Sequence, residues 1–296
     1  MTESRLNPVL GGWSFLEGIR WHDGRLWVSD FYTRTVICSN ASGTQLETTL
    51  IPDQPSGLGW LPDGRLLVAG QLERKIFRVE PTGKVVVHAD LSDLVSGHLN
   101  DMFVDQSGRA YVGEFGFDLH RGETPRPGNL IRVDTDGQAT VAASDLWFPN
   151  GIVAADSGNT LIVAESMANR LTAFAVGEDG SLNGRSTWAS YGPPPPTGDV
   201  ATLLATTDVA PDGIAVDAEG AVWAADPSHN RVVRISRGGQ ITDEISTGDL
   251  GPYSCVLGGA DGRTLYICAS PSFLEHECRD TRNAVVLATE VEVAGW

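Results

Sequence analysis

Residues 212–225 read D-G-I-A-V-D-A-E-G-A-V-W-A-A: an apolar run, a Gly-containing turn and a second apolar run. That pattern is the signature of a β-hairpin. It recurs in both directions along the chain. N-G-I-V-A-A-D-S-G-N-T-L-I-V begins at Asn150, N-D-M-F-V-D-Q-S-G-R-A-Y-V-G at Asn100 and S-G-L-G-W-L-P-D-G-R-L-L-V-A at Ser56. E-G-I-R-W-H-D-G-R-L-W-V-S-D begins at Glu17, and S-C-V-L-G-G-A-D-G-R-T-L-Y-I at Ser254. A repeat of about 40 to 60 residues built on hairpins describes a propeller or solenoid array.

A third apolar run follows each hairpin, at 34–38, 75–79, 129–133, 170–176, 231–235 and 284–288. A fourth follows at 46–50, 84–88, 139–143 and 241–245, with a weaker one near 185–189. These runs are rich in β-branched residues. The expected fold is therefore all-β: a six-bladed β-propeller with four antiparallel strands per blade. Blades start near 17, 56, 100, 150, 212 and 254, and residues 1–296 form a single domain because no blade is stable alone. The last blade runs out after its third strand. R-L-N-P-V-L at 5–10 is expected to complete it by pairing with 284–291, which removes an open edge.

The bulk composition narrows the function. Hydrophobic residues make up 41% and charged residues 20% of the 296 positions, as in an ordinary globular protein. The formal charge is −17 and no Lys/Arg cluster appears, which argues against a nucleic-acid partner. No apolar stretch reaches 18 residues and the N-terminus lacks a secretory pattern, so neither a membrane span nor a signal peptide is expected. Cys38, Cys255, Cys268 and Cys278 include no C-x-x-C pair; a reduced, cytoplasmic protein is the expectation.

A propeller gathers the heads of its innermost strands around one axis. Four of the six leading residues are Glu17, Asn100, Asn150 and Asp212. Two carboxylates and two amides at one point suit a hard cation. Any one Pro-Asn-Gly or Pro-Asp-Gly alone is ordinary turn chemistry; recurrence in register is what singles these out. Asp23, Asp63 and Asp261 fall at the opposite hairpin tips and read as turn formers. Loops 114–129, 190–211 and 270–283 are long and share the axial face with the four polar residues. The Pro-rich run at 191–199 is expected to be stiff. Of the histidines, His98 is expected near the central cavity, and His229 and His276 in loops of that face. EF-hand, zinc and G-x-S-x-G patterns are all absent.

The elements E-G-I-x-W, N-D, P-N-G-I and P-D-G-I-A-V-D resemble the regucalcin/gluconolactonase (senescence marker protein-like) family of six-bladed propeller hydrolases. The resemblance runs from Glu17 to the last blade. It implies one divalent cation, calcium first, with zinc, manganese or magnesium as alternatives, and hydrolysis of a small-molecule lactone. It also implies Glu17, Asn150 and Asp212 as metal ligands and Asn100 as a contact to metal-bound water or substrate. By the same resemblance Asp212 matches the carboxylate that serves as base or nucleophile. One departure stands out. Sugar-lactonase members often carry R-x-N-D where this chain has His98-Leu99-Asn100-Asp101, so an Arg fork is replaced by His98. Phe31, Tyr32, Phe115, Phe117, Trp147 and Phe148 add aromatic surface on the same face. Together these features suggest a lactone less polar than a sugar lactone. A phosphotriesterase-like hydrolase and a metal-keeping propeller without catalysis are the rival readings; a strictosidine-synthase-like enzyme needs no metal and fits the carboxylate–amide set poorly.

Overall fold

A computed structural model describes residues 6–119, 121–193 and 198–295. Six four-stranded antiparallel sheets are arranged as propeller blades. Blade one contains Leu16–His22, Arg25–Asp30, Thr35–Ser39 and Glu47–Leu50, from the axis outwards. Blades two to five repeat this order with innermost strands Pro55–Trp60, Leu99–Val104, Pro149–Ala155 and Ile214–Val216. In blade six the order is Gly251–Gly258, Thr264–Ser270, Ala284–Glu290 and then Asn7–Trp13 from the N-terminus. Asn7 pairs with Ala288 and Trp13 with Ala284, so the first strand closes the last blade as expected.

Local chemistry sets these elements. Strand residues alternate across two faces, so each sheet presents one apolar set to each neighbouring blade. Leu67, Ile76 and Val112, for instance, share one cluster between blades two and three. Leu26, Ile37 and Val286 share another across blades one and six. At the hairpin tips a short acid receives backbone N–H groups: Asp63 Oδ1 accepts from Arg65 N at 3.1 Å and Asp261 Oδ1 from Arg263 N at 3.1 Å. Asp23 adopts a left-handed φ of 50° at its own tip. The expected turn roles of all three hold.

Close packing at the axis explains two glycines in the motif. A Cβ on Gly213 would lie 2.4 Å from Ser254 Oγ, and one on Gly151 would lie 2.5 Å from Ile214 N. No side chain fits at either position, so the glycine that follows Asn150 and the one that follows Asp212 are required by inter-blade contact.

Two short helices were not expected. Val200–Ala205 is capped by Asp199, whose carboxylate accepts from Thr202 N at 2.8 Å. Glu275–Cys278 forms one turn in the 270–283 connection. The Pro-rich run at 191–199 lies partly outside the described residues. All four cysteines are free thiols. Among the described residues no helix is long and apolar enough to cross a membrane.

Candidate active site

The innermost strands do not run straight to their ends. Pairing is interrupted between Glu17 and Arg20, between Leu99 and Met102, and between Pro149 and Ile152. A bulge at this point bends the strand and re-aims the side chain ahead of it. In blade five the ladder resumes only at Ile214, and Asp212 N bonds Ala225 O at 2.9 Å. Glu17, Asn100, Asn150 and Asp212 are thereby all buried and all line one axial cavity of about 420 Å3. Ser56 and Ser254, the other two leading residues, are buried but do not line it.

The floor of this cavity is electrostatically unsettled. Burial, then repulsion from Asp212 and Asp101, holds the Glu17 carboxyl well above the usual carboxylate range. Burial, then the charge of Asp101, does the same to Asp212. Glu17 Oε2 accepts one bond, from Gly18 N at 2.7 Å. Asn150 Nδ2 donates to Ser166 Oγ at 3.2 Å, and Ser166 Oγ donates to Pro211 O at 2.7 Å. Asn100 Nδ2 donates to Pro149 O at 3.2 Å. These bonds use the amide nitrogens and leave oxygens as the remaining acceptors. Asn150 Oδ1 and Asp212 Oδ1 are buried with no hydrogen-bond partner. Buried acceptors without donors are costly. A hard divalent cation answers that deficit, so the donor set fits one. Among the described residues no three His, Cys, Asp or Glu side chains cluster to hold a metal, so such a site depends on its amides.

Asp101 follows Asn100 but serves a different purpose. Its carboxylate forms an ion pair with Arg20 Nη2 and accepts from Met102 N at 2.8 Å. Arg20 also bonds the carbonyls of Leu58 at 3.2 Å and Met102 at 2.6 Å. It therefore ties three blades together at the axis, and Asp101 supports that tie.

The aromatic residues divide. Phe31, Tyr32, Phe115 and Phe148 line the cavity. Phe117 does not; it is fully buried and packs with Met167 and Leu203, with Trp147 against the same cluster. Phe115 and Phe148 stack at 4.3 Å between centroids. His98 is also outside the lining; its ring lies 5.9 Å from Phe115 and its Nε2 is 3.9 Å from Asp118. His229 is bound to Asp226 Oδ2 at 3.0 Å and His276 is exposed; neither reaches the cavity.

Several lining residues escaped the sequence reading. Phe15, Gln71 and Tyr253 are among them. Gln71 Oε1 accepts from Gln54 Nε2 at 2.9 Å, while its own Nε2 is buried and unpartnered. Burial raises the phenol pKa of both Tyr32 and Tyr253, so they are neutral donors and not bases at neutral pH. The sequence also held an unused signal. The second strands of four blades end in an acid: Asp30, Glu114, Glu165 and Asp226. All four are fully buried. Each carboxylate gathers backbone N–H groups of the axial-face connections. Glu114 accepts from Gly97, Gly116 and Asn129, at 2.7–2.9 Å. In blade two the position is Gly70, and a Cβ there would sit 2.9 Å from Asp53 Oδ2, an acid supplied by the preceding connection. Recurrence at strand ends, read as the strand heads were, identifies this set.

A six-bladed propeller with two carboxylates and two amides at the base of an aromatic axial cavity defines a class of protein. The chain belongs to the SMP-30/gluconolactonase/LRE-like family, whose conserved region matches residues 15–270. It is 27% identical over 245 residues to 6-deoxy-6-sulfogluconolactonase of Pseudomonas putida, covering 82% of this chain and 75% of that one. Its fold is similar to a luciferin-regenerating enzyme, with a TM-score of 0.80 at 18% identity over 99% and 97% of the two chains. It is also similar to the calcium-binding protein regucalcin of Agrobacterium tumefaciens, with a TM-score of 0.77 at 21% identity over 98% and 93%.

Proposed function

We propose that this chain is a divalent-cation-dependent hydrolase of a small lactone less polar than a sugar lactone. The observation that carries the reading is the pair of buried, unpartnered oxygens, Asn150 Oδ1 and Asp212 Oδ1, at the floor of an aromatic cavity. Family membership and the lactonase named among its relatives support the reaction class. Glu17, Asn150 and Asp212 would hold the cation, calcium before zinc, manganese or magnesium; two formal negative charges leave it electrophilic. When bound, the ion polarises the lactone carbonyl and stabilises charge on its oxygen. Asp212 takes the proton of the attacking water and returns it to the ring oxygen as the C–O bond breaks, giving a hydroxy acid. Asn100 orients the water or the substrate through its Oδ1, its Nδ2 being held by Pro149 O. His98 is assigned to the substrate side, acting from behind Phe115. Four free thiols support a reducing, cytoplasmic setting.

The test is hydrolysis of a lactone panel by pH-stat, with chelated and calcium-loaded protein side by side. Turnover restored by calcium is expected. Tight calcium binding with no turnover of any lactone or of a paraoxon-type triester would overturn the reading in favour of a non-catalytic propeller.

A further inference from the structure

The described walls of the axial cavity carry no positive charge. Among the described residues that line it there is no Lys, Arg or His, and its only carboxylates are Glu17 and Asp212. The chain as a whole has a formal charge of −17. A carboxylate, sulfonate or phosphate on a substrate would leave water without a counter-charge and meet an acidic field. A cation on the floor offsets the two carboxylates there and leaves nothing for a second anionic group on the walls. Two polar side chains near the floor are engaged, whereas Gln71 Nε2 is unpartnered and Tyr32, Tyr253, Ser228, Asn230 and Ser272 also line the cavity. Asn100 bonds Pro149 O, and Ser166 both receives from Asn150 and donates to Pro211 O.

One wall of the cavity is hydrocarbon. The helix Val200–Ala205 contributes Val200, Leu204 and Ala205, held in place by Leu203 packed with Phe117 and Met167. Leu119, Met167 and Phe273 extend the same surface. Phe273 is half-exposed, so the apolar lining reaches solvent. Such a surface rewards methylene groups and offers little to a row of hydroxyls.

Resting on the lactonase reading above, we propose that the substrate is an uncharged lactone bearing a hydrocarbon substituent. That substituent lies against Leu204 and Phe273, and anionic lactones are rejected. The name of the Pseudomonas putida relative refers to a sulfogluconolactone; the uncharged walls here argue against such a substrate for this chain.

Three γ-lactones test this on the calcium-loaded protein: γ-nonalactone with a pentyl chain at the γ carbon, D-glucono-1,4-lactone with hydroxyls on both ring and side chain, and 5-oxotetrahydrofuran-2-carboxylate with an anion at the γ carbon. The expected order of kcat/KM is pentyl, then polyol, then carboxylate, with roughly tenfold gained for every two methylenes buried. Leu204→Arg places a cation on the wall. It should raise kcat/KM for the carboxylate lactone at least about tenfold and lower it for γ-nonalactone, calcium affinity being unchanged. Wild-type preference for the carboxylate or the polyol lactone overturns the proposal, as does a Leu204→Arg variant whose preferences do not move. If none of the three is hydrolysed, the lactonase reading fails separately. Calorimetric binding of the same compounds then decides the ligand class: tighter binding of γ-nonalactone upholds it, and tighter binding of either of the others overturns it.

Discussion

On the proposed reading Asp212 would both hold a cation and move a proton, and its position is compatible with both. It sits ahead of the shortest inner strand, its backbone fixed by Ala225 O, with Oδ1 unpartnered in the cavity floor. Asp212→Asn keeps an oxygen for the ion and removes the base. Lactone turnover should fall about 10²–10⁴-fold while calcium still binds. Full activity in a calcium-binding variant would move the base elsewhere. Glu165 is the contrasting case, buried just as deeply and outside the cavity. It receives Arg170 Nε at 2.8 Å, Arg170 Nη2 at 2.9 Å and Trp147 N at 2.8 Å. Arg170 keeps about a quarter of its side chain exposed, so removing Glu165 chiefly leaves the Trp147 N–H and the Thr172 hydroxyl without their acceptor. Glu165→Ala should cost about 1–3 kcal/mol of stability in urea unfolding. A variant as stable as the parent would show that the carboxylate is not the tie between the 147–149 connection and its blade. These two acids mark what sequence can and cannot distinguish at this scale. Asp212 announced itself by recurring in register with Glu17, Asn100 and Asn150. The role of Glu165 is set by which donors the fold delivers, and the backbone N–H it receives, from Trp147, lies 18 residues away in the chain.

Elements were more legible than contacts. Third strands at 75–79, 170–176 and 231–235 were readable to the residue, because alternating β-branched runs between turn residues leave little freedom. The last strand of blade four was visible only at 185–189, whereas it spans Leu182–Ser190. Its polar residues, such as Asn183, Arg185 and Ser186, sit on an exposed outer edge where burial does not demand apolar side chains. The helix Val200–Ala205 was not legible at all. Six residues are too few to show a 3.6-residue period, and its stability comes from the Asp199 cap and the burial of Leu203. The closing strand permits a direct test. Asn7–Trp13 covers Ala284–Glu290, which otherwise becomes an open edge bearing Val285, Val286 and Leu287. Deleting residues 1–13 should lower the melting temperature and make the protein associate, read by light scattering during heating. A truncated chain that remains monomeric with an unchanged melting temperature would show that the ring does not need this clasp.

Across the molecule, the proposed ion binding would be linked to folding through two carboxyls that burial and the charge of neighbouring acids, Asp101 for both and Asp212 for Glu17, hold above their ordinary range. The sign follows from proton counting. With no cation bound, the folded chain keeps protons on Glu17 and Asp212 at pH values where the unfolded chain has already lost them. Stability therefore falls as pH rises from the ordinary carboxylate range through the raised one. A divalent ion binds the deprotonated pair, so it displaces those protons, and its affinity rises over the same window. Cation-free protein should thus melt at lower temperature as pH increases, while calcium-loaded protein resists the loss. At about 100 times its dissociation constant the ion contributes roughly 2.7 kcal/mol. Calorimetry in two buffers of different ionisation enthalpy measures the protons released. Proton release that declines as pH rises through the raised carboxylate range, with affinity climbing in parallel, is the expected result. Calcium binding that releases no protons at any pH, or a melting temperature indifferent to both chelator and calcium, would mean that Glu17 and Asp212 do not form a cation site.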